Sequence, residues 1–154
     1  MYSLLLFLHS WLRWVVVLTG VVAVAHAISG MNSSRPWRDA DGKPGLFFMI
    51  CCDLQLLIGL ALYLVFSPTV QAAFGNIAAA MRNPEYRFFV VEHAFGMLIA
   101  IVLAHVGRVR SKKANTDAAR FKGAAIFYGL ALLIILGVIP WPGMPAGRPL
   151  IRGL

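Results

Sequence analysis

Two histidines lie at equivalent positions in two apolar segments of this sequence. His9 lies near the start of the first segment and His93 near the start of the third. If the two segments are helices that run in the same direction, the two imidazoles lie at a similar depth in a bundle, because each residue adds about 1.5 Å. Two neutral imidazoles from different helices can hold the iron of a haem b from opposite faces. The pair predicts one haem site with His9 and His93 as iron ligands.

Three further residues are expected to complete this site. Arg13 lies one turn after His9, where a cation would bind the anionic propionates of haem. A flat macrocycle also needs a slot, since bulky side chains on the ligand face would exclude it. Gly20 lies close to the rotation of His9, and Gly96 follows His93 by one turn, so both are predicted to open that slot.

The remaining histidines, His26 and His105, form a weaker second pair. Both lie near the far ends of their helices, so their depth would allow a second haem. Their rotation argues against it, because each lies roughly 100–120° away from the face of the first pair. The alternative is an interfacial role, in which the two side chains reach headgroups or loop carbonyls.

Gln55 and Tyr63 lie on one stripe of the second segment, together with Cys52 and Gly59. One interpretation is a packing seam in which the glutamine forms a hydrogen bond to another helix. The other is that Gln55 and Tyr63 line a cofactor or quinone pocket.

Glu92 precedes His93 and faces another side of the same helix. It could form an ion pair with Arg13 or Arg87. Alternatively, it could accept a proton when a quinol is oxidised nearby, because a carboxylate in an apolar site can exchange protons near neutral pH.

The composition is that of a membrane protein. Of the 154 residues, 60% are hydrophobic and 13% are charged, and the mean hydropathy is +0.77. The net charge of +8 comes from basic residues in short stretches with no nucleic-acid-binding motif. Residues 1–154 are therefore predicted to form a single all-α domain, a four-helix transmembrane bundle with helices at about 4–29, 46–66, 88–107 and 121–139.

The distribution of Lys and Arg predicts an orientation. Most of these residues lie in the 30–45 and 108–122 loops, which are expected to face the cytoplasm. Both termini are then outside. Fewer basic residues lie on the outer side, namely Arg82, Arg87, Arg148 and Arg152.

Four stretches together resemble a known group of proteins. They are LHSWLRW, DLQLLIGLALY, RFFVVEHAFGMLIAIVLAHVGRVRSKKA and IFYGLALLIILGVIPWP. This pattern resembles that of short four-helix bacterial membrane proteins labelled cytochrome b-like, over nearly the whole chain. The resemblance implies a protein of the bacterial inner membrane, with shared positions at His9, Arg13, Gln55, Glu92 and His93.

The leading hypothesis is a small b-type cytochrome-like electron carrier or oxidoreductase subunit that binds one haem b and exchanges electrons with membrane quinol. The alternative is a cofactor-free accessory or structural subunit of a larger respiratory or photosynthetic complex, with its polar residues joining helices. A transporter is less favoured, because it would need a helix broken at the bilayer midplane and the predicted helices have no interior proline.

Overall fold

The computed structural model describes residues 1–151 and 153, and this part of the chain contains helices and turns but no strand. Arg152, which entered the orientation argument, lies outside the described residues. The helices in chain order are α1 (Tyr2–Asn32), α2 (Lys43–Ala61), α3 (Pro68–Gly75), α4 (Ile77–Arg82), α5 (Pro84–Arg87), α6 (His93–Lys113) and α7 (Asp117–Val138). A 3-10 turn, Asp39–Gly42, precedes α2, and π-helical turns at Leu62–Phe66 and Phe88–Glu92 follow α2 and precede α6.

Four of these helices are long and apolar enough to cross a membrane: α1, α2, α6 and α7, where α2 and α6 include their adjoining turns. The prediction of four such segments is therefore confirmed. α1 packs against α2 and α7, and α6 packs against α7 and α2, so α1 and α6 occupy opposite corners of the bundle. Small residues allow the backbones to approach closely along these contacts. They include Ala23, Ala27, Ala100, Ala104 and Ala131, all nearly inaccessible.

The segment between the second and third predicted helices, residues 67–87, forms the three short helices α3, α4 and α5. Each has a side-chain cap at its start, since Ser67 accepts from the Val70 amide and Asn76 and Asn83 cap the next two helices. Prolines at the first positions of α3 and α5 favour the same helix starts. These helices cover one end of the bundle, which we call the capped end. The start of α1, the end of α2, the start of α6 and the end of α7 all lie there.

Asp41 anchors the α1–α2 connection at the opposite end, which we call the basic end. Its carboxylate accepts two hydrogen bonds from Arg35, at 2.7 and 2.8 Å, and one from the Arg38 amide at 2.7 Å. His26 Nε2 lies 2.8 Å from the same carboxylate. The hydrogen bonds that Arg35 donates to Asp41 raise the pKa of its guanidinium, which therefore stays charged.

Candidate functional site

A cavity of about 280 Å³ lies at the capped end, between α1, α2 and α6. Five of the residues that the sequence singled out line it: His9, Arg13, Gln55, Tyr63 and His93. They come from three helices that are well separated in the sequence. The structure therefore brings most of the predicted site together in one place.

The two histidines lie close together in the wall of this cavity. The ring centroids of His9 and His93 are 6.3 Å apart, and the ring planes are inclined by 65°. Nδ1 of His93 lies 2.8 Å from the Val138 carbonyl oxygen, which can only accept. Nδ1 therefore carries the proton, and Nε2 of His93 is left with a free lone pair that can bind a metal.

His9 is held against α2. Its Nδ1 is buried and has no hydrogen-bond partner. A Cβ atom added at Gly59 would lie 3.2 Å from Cε1 of this ring, so the glycine allows the imidazole to pack directly on the α2 backbone. A buried polar atom without a partner is uncommon in proteins and calls for an explanation such as a water or a ligand.

Arg13 links the cavity to the C-terminal tail. The residue is only 8% exposed, and its guanidinium donates a hydrogen bond of 2.7 Å to the Leu150 carbonyl. Trp14 Nε1 donates to the same oxygen at 2.9 Å. Nε of Arg13 is buried without a partner. A largely buried cation with an unsatisfied donor can bind an anionic group that enters the cavity.

Arg148 is a second cation of this cavity and was not among the predicted site residues. Its guanidinium donates a hydrogen bond of 2.6 Å to Glu85 and lies 4.9 Å from the centre of the Phe89 ring. Arg148 follows the end of α7 on a tail that folds back over the capped end. The only signal in the sequence was its location on the same side of the bundle as Arg13.

Gln55 and Tyr63 join helices at the cavity wall. Gln55 Nε2 donates a hydrogen bond of 2.9 Å to the His9 carbonyl, and its Oε1 is buried without a partner. The Tyr63 hydroxyl donates to the Val90 carbonyl at 2.9 Å and so connects the two π-helical turns. Both side chains join helices, as the packing interpretation predicts. Both also line the cavity, so a role in binding a cofactor or quinone stays a prediction.

The two glycines predicted to open a slot are placed elsewhere. A Cβ atom at Gly20 would lie 2.9 Å from the Phe48 ring on α2, and one at Gly96 would lie 2.6 Å from Val138 on α7. Both glycines allow close packing between helices, and neither lines the cavity. The angle between a histidine and a glycine around one helix does not reveal which neighbouring helix packs against the glycine. Gly59 is the glycine in contact with a site histidine.

The other polar candidates also lie outside the cavity. Glu92 accepts a hydrogen bond of 2.8 Å from Arg87 in an exposed ion pair, one of the two arrangements that the sequence left open. His26 interacts with Asp41, as described above. His105 Nε2 lies 2.9 Å from a carboxylate oxygen of Asp53. The structure thus pairs each of the second two histidines with its own carboxylate.

The cavity reaches the apolar surface of the bundle. Leu60 of α2 and Phe95 and Leu98 of α6 line it, and these side chains are 40%, 63% and 45% exposed. The cavity therefore extends from the polar groups around His9 and His93 to the groove between α2 and α6.

Comparison with models of known protein families finds no match, and neither a curated protein nor a solved structure matches the chain.

Proposed function

We propose that this protein is a small integral membrane electron-transfer protein of the b-type cytochrome kind, which binds one haem b between α1 and α6. His9 and His93 would hold its iron. The observation that carries the proposal is that two imidazoles from opposite corners of the bundle line one cavity with their ring centroids 6.3 Å apart. Because metal–imidazole bonds are about 2 Å long, two imidazoles can bind one metal ion only when their rings lie close together, as these two rings do.

The donor set favours haem over a free metal ion. Within residues 1–151 and 153, no group of three or more His, Cys, Asp or Glu side chains could hold a metal. Two imidazoles alone are a poor site for a bare ion, whereas a porphyrin supplies the remaining ligands to its own iron. The unpartnered Nδ1 of His9 and Nε of Arg13 indicate that the cavity is incomplete without a further polar group. The residues present therefore fit a haem.

The residues of this chain would have distinct roles in such a site. The Val138 carbonyl fixes the tautomer and the orientation of His93. Arg13, which has an unpartnered donor, would bind a propionate, and Arg148, which is also paired with Glu85, would add a second positive charge. Gln55 holds α2 against the backbone of His9. When bound, haem would supply one-electron redox chemistry, with its potential set by these ligands and charges.

A membrane quinol is the electron donor or acceptor that we propose. The cavity extends to the apolar groove between α2 and α6, so an isoprenoid quinol could approach from the lipid without crossing water. Tyr63 and Gln55 would be the polar groups available to its ring. Glu92 is less suited to accept the quinol proton, because it lies outside the cavity and is paired with Arg87.

The membrane arrangement is also part of this proposal. We place the protein in the bacterial inner membrane with both termini outside, because the 30–45 and 108–122 segments contain most of the basic residues. The haem would then lie near the outer surface. Trp14 and Trp141, whose rings contact each other at the capped end with centroids 6.2 Å apart, would lie at the interface level.

A second candidate is a cofactor-free accessory subunit of a larger respiratory or photosynthetic complex. The hydrogen bonds at the cavity favour it, since Gln55, Tyr63, His93 and Arg13 each bond to a backbone carbonyl of another segment. Polar side chains that join helices in this way need no cofactor to explain them.

Haem quantification separates the two candidates. The protein is purified in detergent, and the haem content per chain is measured together with the oxidised and reduced spectra. About one haem per chain is expected for the cytochrome, because one pair of histidines lines the cavity. A colourless, well-folded protein that purifies with large subunits would instead support the accessory role.

A further inference from the structure

A second groove lies at the basic end, between the start of α2 and the end of α6. Leu46 and Met49 of α2 form one wall. The other wall belongs to α6 and consists of His105, Arg108, Val109, Lys112 and Lys113. The groove therefore has one apolar wall and one wall that is mainly basic.

The basic residues of α6 are placed to act together. Arg108 and Lys112 are one helical turn apart and lie on the same face, and Lys113 follows directly. Arg108 donates a hydrogen bond of 2.9 Å to the Gly42 carbonyl, which holds its guanidinium at the start of α2. Among the described residues, neither Lys112 nor Lys113 forms an ion pair with a carboxylate.

Two acidic residues lie near the groove, and each is already bonded to a basic side chain. Asp41, which precedes Gly42, accepts hydrogen bonds from Arg35. Asp53 is hydrogen-bonded to His105 at 2.9 Å and forms no ion pair with Lys112 or Lys113. The groove is consequently positive at its mouth. Beside these basic side chains, Leu46, Met49 and the half-exposed Val109 offer an apolar surface suited to a hydrocarbon chain.

We infer that this groove binds an anionic phospholipid, with the headgroup phosphate at Arg108, Lys112 and Lys113 and an acyl chain along Leu46 and Met49. Basic pockets between transmembrane helices on the cytoplasmic side are suited to such headgroups. Both walls fit one amphiphile, because the charge complements the phosphate and the apolar wall complements the chain. The inference rests on the membrane location proposed above, and it is independent of haem.

The test uses the full chain, purified in detergent and reconstituted in nanodiscs of phosphatidylcholine. Binding of added phosphatidylglycerol is measured by native mass spectrometry for the wild type and for K112Q/K113Q. The control, R38Q/K122Q, removes the same charge from the basic end but outside the groove. We expect the groove variant to bind phosphatidylglycerol about 5- to 30-fold more weakly. The control should bind it as the wild type does.

Several results would overturn the inference. Wild-type affinity in K112Q/K113Q would do so, as would equal losses in both double variants, which would indicate only a general charge effect. Displacement of the lipid by millimolar inorganic phosphate would identify a free-phosphate site instead. The haem content of the same samples is recorded in parallel, so failure of this inference and failure of the proposed function are distinguishable.

Discussion

His9 and His93 lie on opposite corners of the bundle, yet their rings meet with centroids 6.3 Å apart. Each ring is positioned by a different neighbour. α7 holds His93 through the Val138 carbonyl, and α2 supports His9 through the close approach at Gly59. All four long helices therefore help to position this one pair of imidazoles.

Gly59 is expected to be necessary for the orientation of His9. In Gly59→Val, side-chain atoms would enter the space that the imidazole occupies, because even a Cβ atom lies 3.2 Å from the ring. Haem content per chain should fall roughly two-fold or more, since a metal ligand tolerates little displacement. Gly129→Val is the control, as a Cβ atom at Gly129 meets nothing within 4 Å. Equal haem content in both variants would count against the support of His9 by α2.

Gly96 should contribute to stability by allowing α6 and α7 to approach. Gly96→Ala places a Cβ atom 2.6 Å from a methyl group of Val138, and overpacking of this kind costs about 1–3 kcal/mol. The measurement is the free energy of unfolding in detergent. Val138→Ala removes the opposing methyl groups, so the double variant should recover part of the loss. Absence of any recovery would show that the contact does not determine the cost.

Asp41 should stabilise the α1–α2 connection far more than exposed ion pairs do. Asp41→Asn removes the charge that holds Arg35 and His26, and the melting temperature should fall clearly. The comparison is Glu92→Gln, which breaks an exposed pair with Arg87 and should change the melting temperature little. Equal melting temperatures for the two variants would contradict the prediction that the buried Asp41 stabilises the protein more than an exposed ion pair does.

Arg13 should influence the redox potential of a bound haem through its charge. Arg13→Gln removes a cation beside the cavity. Because a nearby positive charge stabilises the reduced haem relative to the oxidised one, its loss should lower the midpoint potential by on the order of tens of millivolts. Trp14→Phe is the matched control, because it removes the other hydrogen bond to Leu150 without changing the charge. Redox titration of both variants separates the electrostatic role from anchoring of the tail. A similar potential in wild type and Arg13→Gln would contradict the electrostatic role.

The four long helices were predictable because long apolar runs have few structural alternatives. The approach of His9 and His93 was predictable from depth, since both lie near helix starts at the same end. The contacts of Gly20 and Gly96 were not, because the sequence does not state which neighbouring helix each one meets. Arg148 enters the site through a tail that folds back, and long-range folding of this kind leaves no periodic signal.

The most direct test of the proposed haem site is the optical spectrum of histidine variants, oxidised and then reduced with dithionite. The wild type should show a sharp reduced α-band, and His9→Ala and His93→Ala should each lose it. His26→Ala and His105→Ala should keep it, because those side chains interact with Asp41 and Asp53 outside the cavity. Retention of the full haem spectrum in the H9A/H93A double variant, or no haem in well-folded wild-type protein, would contradict the proposal.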